Sequence, residues 1–270
     1  MIRTWGLALL VLASGRVTSA QSIQLAPLAH TQAPPDNPEG TFVFLPSYHF
    51  HLNMAHLSSD SPRYNWDANY GGELGIFAYG RTQATFVANF QAVLGEEFHP
   101  FDPNQGNYIL DGVLSTRFKG VYVAGVFHHL SRHLADRPKE PPVDWNMVGG
   151  RVGTQFTRGG TDVEARFDLL GSIVKTNVDY NWEMHTGALV HHRVYGTFGL
   201  IGAGQLRYIG TNDLYKRANQ TGGRGEGGLR VSGRAVTVEL YLAVERVIDP
   251  YPTEQGTASF ASVGMRLLSR

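Results

Sequence analysis

The chain has no cysteine among its 270 residues. Disulfide scaffolds, zinc ribbons and thiol chemistry are therefore excluded. Charge is also scarce: 17% of residues are charged, and the 23 basic and 23 acidic side chains cancel. Without a broad positive field, nucleic-acid binding is not expected. After the amino-terminal stretch, charge or glycine interrupts every apolar run, so no transmembrane helix is expected. An apolar content of 42% argues against disorder. What the chain does have is 32 glycines and 11% aromatic residues, a composition that fits an all-β protein.

The amino terminus reads as an export signal. Arg3 supplies the positive charge, Trp5 to Ala13 is apolar, and Thr18-Ser19-Ala20 offers small residues for cleavage. The expected divisions are a cleaved signal over 1–20, a flexible periplasmic lead-in over 21–40 that contains Pro27, Pro34, Pro35 and Pro38, and one barrel domain over 41–270. Sec-type export to the bacterial outer membrane follows from that order.

From Thr41 onward the pattern is one of strands, whose side chains alternate between two faces. Phe42, Phe44, Tyr48, Phe50 and Leu52 are apolar, and their alternates Ser47, His49, His51 and Asn53 are polar. The same alternation recurs over Tyr108 to Phe118, Asp162 to Leu169, Val178 to His185 and Val236 to Leu242. Short turns are expected near Arg81-Thr82, Lys119-Gly120, Arg158 to Thr161, His191 to Arg193 and Gly233-Arg234. Longer loops are expected near Ala55 to Tyr70, Glu96 to Asn107, Arg132 to Asp144, Tyr208 to Arg224 and Val247 to Thr257. Short turns at one end and long loops at the other describe an antiparallel transmembrane β-barrel. About twelve strands of roughly ten residues are expected, with ten strands as the alternative because Gly71 to Gly80 and Val194 to Arg207 alternate poorly. The chain ends in Leu-Ser-Arg rather than the aromatic residue common at the end of such barrels.

The polar face carries Arg117, Arg151, Asp162, Glu164, Arg166, Asp168, Glu183, Arg230 and Glu239. Two readings are open, an ion-selective pore and a lattice of opposite charges that fills the lumen. A barrel of about twelve strands is narrow beside the large porins, which favours the lattice.

The most specific local segment is Phe127-His128-His129-Leu130-Ser131-Arg132-His133-Leu134-Ala135-Asp136. At period 2, His129, Ser131 and His133 share a face, spaced about 6.6–6.8 Å apart. An imidazole can bridge that gap to a hydroxyl, and serine needs such a base to act as a nucleophile. A two-residue turn at Lys119-Gly120 would pair Phe118 with Val121 and send this face outward, whereas a three-residue turn would send it into the lumen. Interfacial decoration is the bland alternative for these polar groups.

A His-x-Ser on the outer wall resembles the outer-membrane lipid hydrolases, phospholipase A and the lipid A 3-O-deacylase. That resemblance implies Ser131 as nucleophile, His129 as general base and Asn146, on the following strand, as the residue that orients the histidine. Both families place asparagine after the serine, where this chain has Arg132. The phospholipase resemblance also implies calcium as a cofactor. The longer His-x-Ser-x-His-Leu-x-Asp run is similar to an uncharacterised family of bacterial outer-membrane barrels, which implies no activity.

Other constellations point less far. His49 with His51, and Glu183 with His185, have too few ligands for a metal site and read as structural, and His191-His192 lies at a turn. Gly202-Ala203-Gly204 and Gly222 to Gly228 lack the lysine and helix of a phosphate loop and are read as permitting curvature. Asn219-Gln220-Thr221 matches a glycosylation triplet, which means little in a bacterial host. Tyr64, Trp66 and Tyr70 suit either a headgroup site or an aromatic girdle. The expectation is an outer-membrane barrel with a non-enzymatic structural, envelope-interaction or narrow-pore role, in contact with outer-membrane lipids and no nucleic acid, as a monomer or weak homodimer. No cofactor or metal is expected for that role. The alternative is a lipid acyl-ester hydrolase.

Overall fold

A computed structural model describes residues 40–136, 138 and 141–269. The expected signal over 1–20 and nearly all of the lead-in over 21–40 lie outside the described residues. The strands are β1 Phe42–Phe44, β2 Tyr48–Leu57, β3 Trp66–Tyr79, β4 Thr82–Gly95, β5 Asp102–Phe118, β6 Val121–Leu134 and β7 Val143–Arg158. They continue with β8 Thr161–Thr176, β9 Tyr180–Tyr195, β10 Phe198–Thr211, β11 Gln220–Ser232, β12 Val236–Ile248 and β13 Thr257–Ser269.

Each strand from β3 to β13 pairs with its sequence neighbours, and β13 pairs with β2, so β2 to β13 close into a twelve-stranded antiparallel barrel. Closure leaves no long edge to aggregate. β1 is an extra piece. It continues the β2 edge along β3, pairing Phe42 with Tyr79. The break between them falls at Leu45, with φ 50, and Pro46, which has no N–H to donate. The two poorly alternating segments form β3 and β10, so the count is twelve rather than ten.

Most strands exceed the expected ten residues, and β5 reaches 17. About 9–11 residues suffice to cross the hydrocarbon at a tilt, so the ladders continue beyond it. The short turns cluster at one end. Lys119 and Gly120 have φ 47 and 88, the left-handed pair that a two-residue hairpin needs. Phe118 pairs with Val121 there. Two turn positions differ from expectation. The β9–β10 turn lies at Gly196-Thr197 and not at His191 to Arg193, because both strands stay paired to Tyr195 and Phe198. At the β11–β12 turn Ser232 pairs with Thr237 and not with Ala235. The parity of the inward side chains is unchanged by that slip, since it moves by two residues.

The outer wall is apolar. Leu114, Val123, Val152, Phe167, Leu206, Leu242 and Val263 are all exposed. Tyr48, Tyr79, Phe118, Phe156 and Tyr195 mark one rim, while Tyr70, Tyr108, Trp182 and Tyr208 mark the other. An apolar band between aromatic rims is the outer wall of an outer-membrane barrel.

The inner wall is mixed, and this was not expected. Ile109, Val126, Leu130, Trp145, Met147, Leu170, Tyr180 and Ile209 form an apolar core inside the barrel. Val178 and Tyr180 belong to it, although their alternation with Asp179 and Asn181 places them on the outer face. A register shift at Gly210/Thr211 carries Tyr180 to the inside.

Candidate functional site

Ser131 lies on β6, outward and near the long-loop end. The outward series along this strand is Val121, Val123, Gly125, Phe127, His129, Ser131 and His133, while Tyr122, Val126, His128, Leu130 and Arg132 are buried inside. The wall thus changes from apolar to polar as it rises toward the loops. Outward polar groups cost least near the interface. Below the patch, Leu110, Phe127 and Val148 are exposed and suit hydrocarbon.

The ladder sets the cross-strand neighbours. His129 stands between Leu110 of β5 and Asn146 of β7, and Ser131 between Tyr108 and Asp144. Directly opposite residues bring their Cβ atoms within about 4.5–5.5 Å. Across one of these pairs, His129 Nδ1 lies 2.9 Å from Asn146 Oδ1. An amide oxygen only accepts, so Nδ1 is the donor, and in the neutral ring Nε2 then keeps its lone pair. The Ser131 hydroxyl, in this conformation, pairs with His133 Nε2 at 3.3 Å rather than with His129. Ser131 is therefore flanked by a histidine on each side, and rotation of its χ1 among staggered wells moves the hydroxyl from one toward the other.

Aromatic rings lead away from the patch. Tyr70, Phe90 and Tyr108 follow one another at centroid spacings of 5.3 and 4.9 Å, and the Tyr108 ring meets His133 edge to face at 5.6 Å. Behind the patch the wall is stiff, because Leu130, Trp145 and Met147 sit in the inner core. Arg132 faces inward and grips the Asp249–Glu254 loop, donating to Asp249 O at 2.6 Å, Pro250 O at 3.0 Å and Gln105 Oε1 at 3.1 Å. Its place after the serine is thus that of an inner anchor.

The residues do not form a cage for calcium. Among the described residues no group of three or more His, Asp or Glu side chains converges on a metal position. Asp144 is the one carboxylate paired across from Ser131, and calcium prefers six or more oxygen ligands.

The charged residues inside form ion pairs. Arg151 grips Asp168 through two bonds of 2.8 Å. Glu183 accepts from Arg207 at 2.8 Å and lies 2.8 Å from His185 Nε2. Along β11 to β13 a chain alternates in sign: Arg230 to Glu239 at 2.8 Å, Glu239 to Arg266 at 2.8 Å, Arg266 to Glu226 at 3.0 Å, Glu226 to Arg224 at 3.0 Å and Arg224 to Glu245 at 3.0 Å. Tyr241 lies beneath Arg224 and Arg266. Glu164 and Arg166 are buried, Arg117 is half-buried, and Asp162 is exposed, accepting from Thr157 at 2.6 Å. Glu226 shares the polar face of Arg230 and Glu239, as the sequence indicates, whereas Arg207, Arg224, Glu245 and Arg266 did not emerge from sequence reasoning. Their alternation with glycine or apolar residues was the available signal, masked by the glycine density of β11.

Loop residues are tied to strand ends at the outer mouth. Arg217 donates to Asp179 and Asp249 at 2.6 Å, and Tyr180 donates to Asp249 at 2.7 Å. Tyr64 is buried against Phe260, so it is part of this packing and not an exposed headgroup contact. His191 is held by Arg230 at 2.9 Å and His192 by Thr161 at 2.8 Å.

No protein-family model matches the chain, and no curated protein matches it either. Distant likeness to solved barrels exists. The outer membrane phospholipase (OMPLA) dimer with bound calcium from Salmonella typhi aligns at TM-score 0.49 and 14% identity, over 83% of this chain and 91% of that one. The outer membrane phospholipase A of Escherichia coli gives the same score and identity over 83% and 97%. The OmpT outer membrane protein of Vibrio cholerae gives 0.43 and 10% over 86% and 99%. Likeness at this distance carries nothing about chemistry. By its own strand pairing and outer surface, the chain is a closed twelve-stranded β-barrel of the outer-membrane type.

Proposed function

We propose that this chain is an outer-membrane hydrolase of lipid acyl esters, with Ser131 as nucleophile, His129 as general base and Asn146 as the residue that orients the base. The observation that carries this reading is the 2.9 Å contact between His129 Nδ1 and Asn146 Oδ1 on the lipid-facing wall, two residues from an outward serine. It fixes the tautomer a base requires and leaves Nε2 free to take the serine proton. The patch lies near the long-loop end of β6, with exposed Leu110, Phe127 and Val148 below it to take acyl chains. Outer-membrane lipids are then substrate as well as solvent. In this reading the inner ion pairs and the loops over the mouth make the barrel a rigid support, not a conduit.

The test is covalent capture. A lipid-like fluorophosphonate added to the folded protein in detergent is expected to label Ser131 stoichiometrically, and Asn146→Ala is expected to slow that labelling. Absence of labelling at Ser131 in folded protein would sink the reading.

A further inference from the structure

Building on the hydrolase reading, we infer that His133 is a second catalytic histidine, a general acid for the leaving alcohol that is distinct from the base His129. Three observations carry this. His133 Nε2 lies 3.3 Å from Ser131 Oγ, on the side of the serine opposite His129. His133 is the more exposed of the two and stands nearer the loops, where the glycerol or sugar part of a membrane ester would lie, while His129 stands nearer the hydrocarbon. The Tyr108 ring packs T-shaped against His133 at 5.6 Å, which holds the imidazole in place.

The proton balance closes over one cycle. In acylation, Ser131 Oγ attacks the ester carbonyl and passes its proton to His129 Nε2. The carbon–oxygen bond to the alcohol breaks as protonated His133 gives its proton to the leaving oxygen. The acyl-enzyme then holds a protonated His129 and a neutral His133. In deacylation, His133 Nε2 takes a proton from water as the water oxygen attacks the acyl carbon. The bond to Ser131 Oγ breaks, and His129 returns its proton to that oxygen. Fatty acid is released and both histidines regain their starting states. Dividing the two roles spares one imidazole from reaching both flanks of a serine on a flat wall.

A leaving group that needs no proton separates the two roles. The folded full-length protein in detergent micelles would be given a p-nitrophenyl ester of a medium-chain fatty acid and, separately, a phospholipid. For His133→Ala the expected result is a stoichiometric burst of p-nitrophenol followed by turnover about a hundredfold or more below wild type, the size typical of a lost acid–base group. Phospholipid cleavage is expected to fall by a similar factor. His133→Gln, which keeps the bulk, should behave alike, with folding checked by heat-dependent gel migration. Wild-type turnover on both substrates in these variants would overturn the inference, as would loss of the burst, which would make His133 the acylating base. If Ser131→Ala abolishes turnover while the His133 variants match wild type, only the second histidine fails. If Ser131→Ala itself keeps wild-type rates, the hydrolase reading fails with it.

Discussion

Arg132 donates to the Asp249 carbonyl oxygen at 2.6 Å from the inner side of the wall whose outer side carries Ser131. Adjacent residues of one strand thus serve opposite faces, one gripping an outer loop and the other meeting lipid. Replacing Arg132 by Ala leaves the Asp249 and Pro250 carbonyl groups without this donor. A loss of about 1–3 kcal/mol is expected, read as a lower midpoint of heat-dependent gel migration and faster proteolysis of the 249–256 loop. An unchanged midpoint would show that the grip contributes little.

The buried Arg151–Asp168 pair should respond asymmetrically. Arg151→Ala removes the two bonds that Asp168 accepts while Arg166 remains close, and is expected to cost about 1–3 kcal/mol. Arg151→Met combined with Asp168→Leu removes both charges at similar volume and should cost less than the single change. Urea unfolding in lipid vesicles compares them.

Asn146→Ala should lower kcat about ten- to a hundredfold and leave KM near wild type, because it alters the aim of His129 and not substrate contact. Fatty-acid release in mixed micelles measures both constants. A rise in KM at constant kcat would assign Asn146 to lipid binding.

Arg132, Tyr180, Arg217 and Asp249 are bonded together at the outer mouth. Purified protein in a planar bilayer is expected to show no steady channel current. Combined Arg217→Ala and Arg132→Ala should introduce conductance steps. Well-resolved steps from wild-type protein would restore the pore reading.

Much of this was legible because a barrel writes its pattern with period 2. Of the two turn lengths open at Lys119-Gly120, the two-residue one pairs Phe118 with Val121, and parity then carries through to Ser131. Arg151 and Asp168 alternated with apolar residues on strands whose turn was short, so their inward facing could be read. The placement of Tyr180 could not, since the shift at Gly210/Thr211 leaves Asn181 as an extra residue of β9, a bulge that period 2 does not announce. The inner apolar core around Trp145 and Met147 was hidden for a different reason: on β7 the usual alternation is reversed, with Asp144 and Asn146 outward and Trp145 and Met147 inward, and periodicity alone cannot say which face meets lipid. Whether Ser131 turns to His129 or to His133 depends on side-chain rotation, on which strand spacing is silent.

The central claim is that Ser131 cleaves lipid esters from the outer wall. Its most direct test is release of fatty acid from outer-membrane phospholipid and lipid A, presented in mixed micelles to purified, folded wild-type protein and to Ser131→Ala. The account predicts steady release by the wild type on at least one of these lipids and a fall to background in the variant. Equal release by both proteins, or none by either, would contradict it.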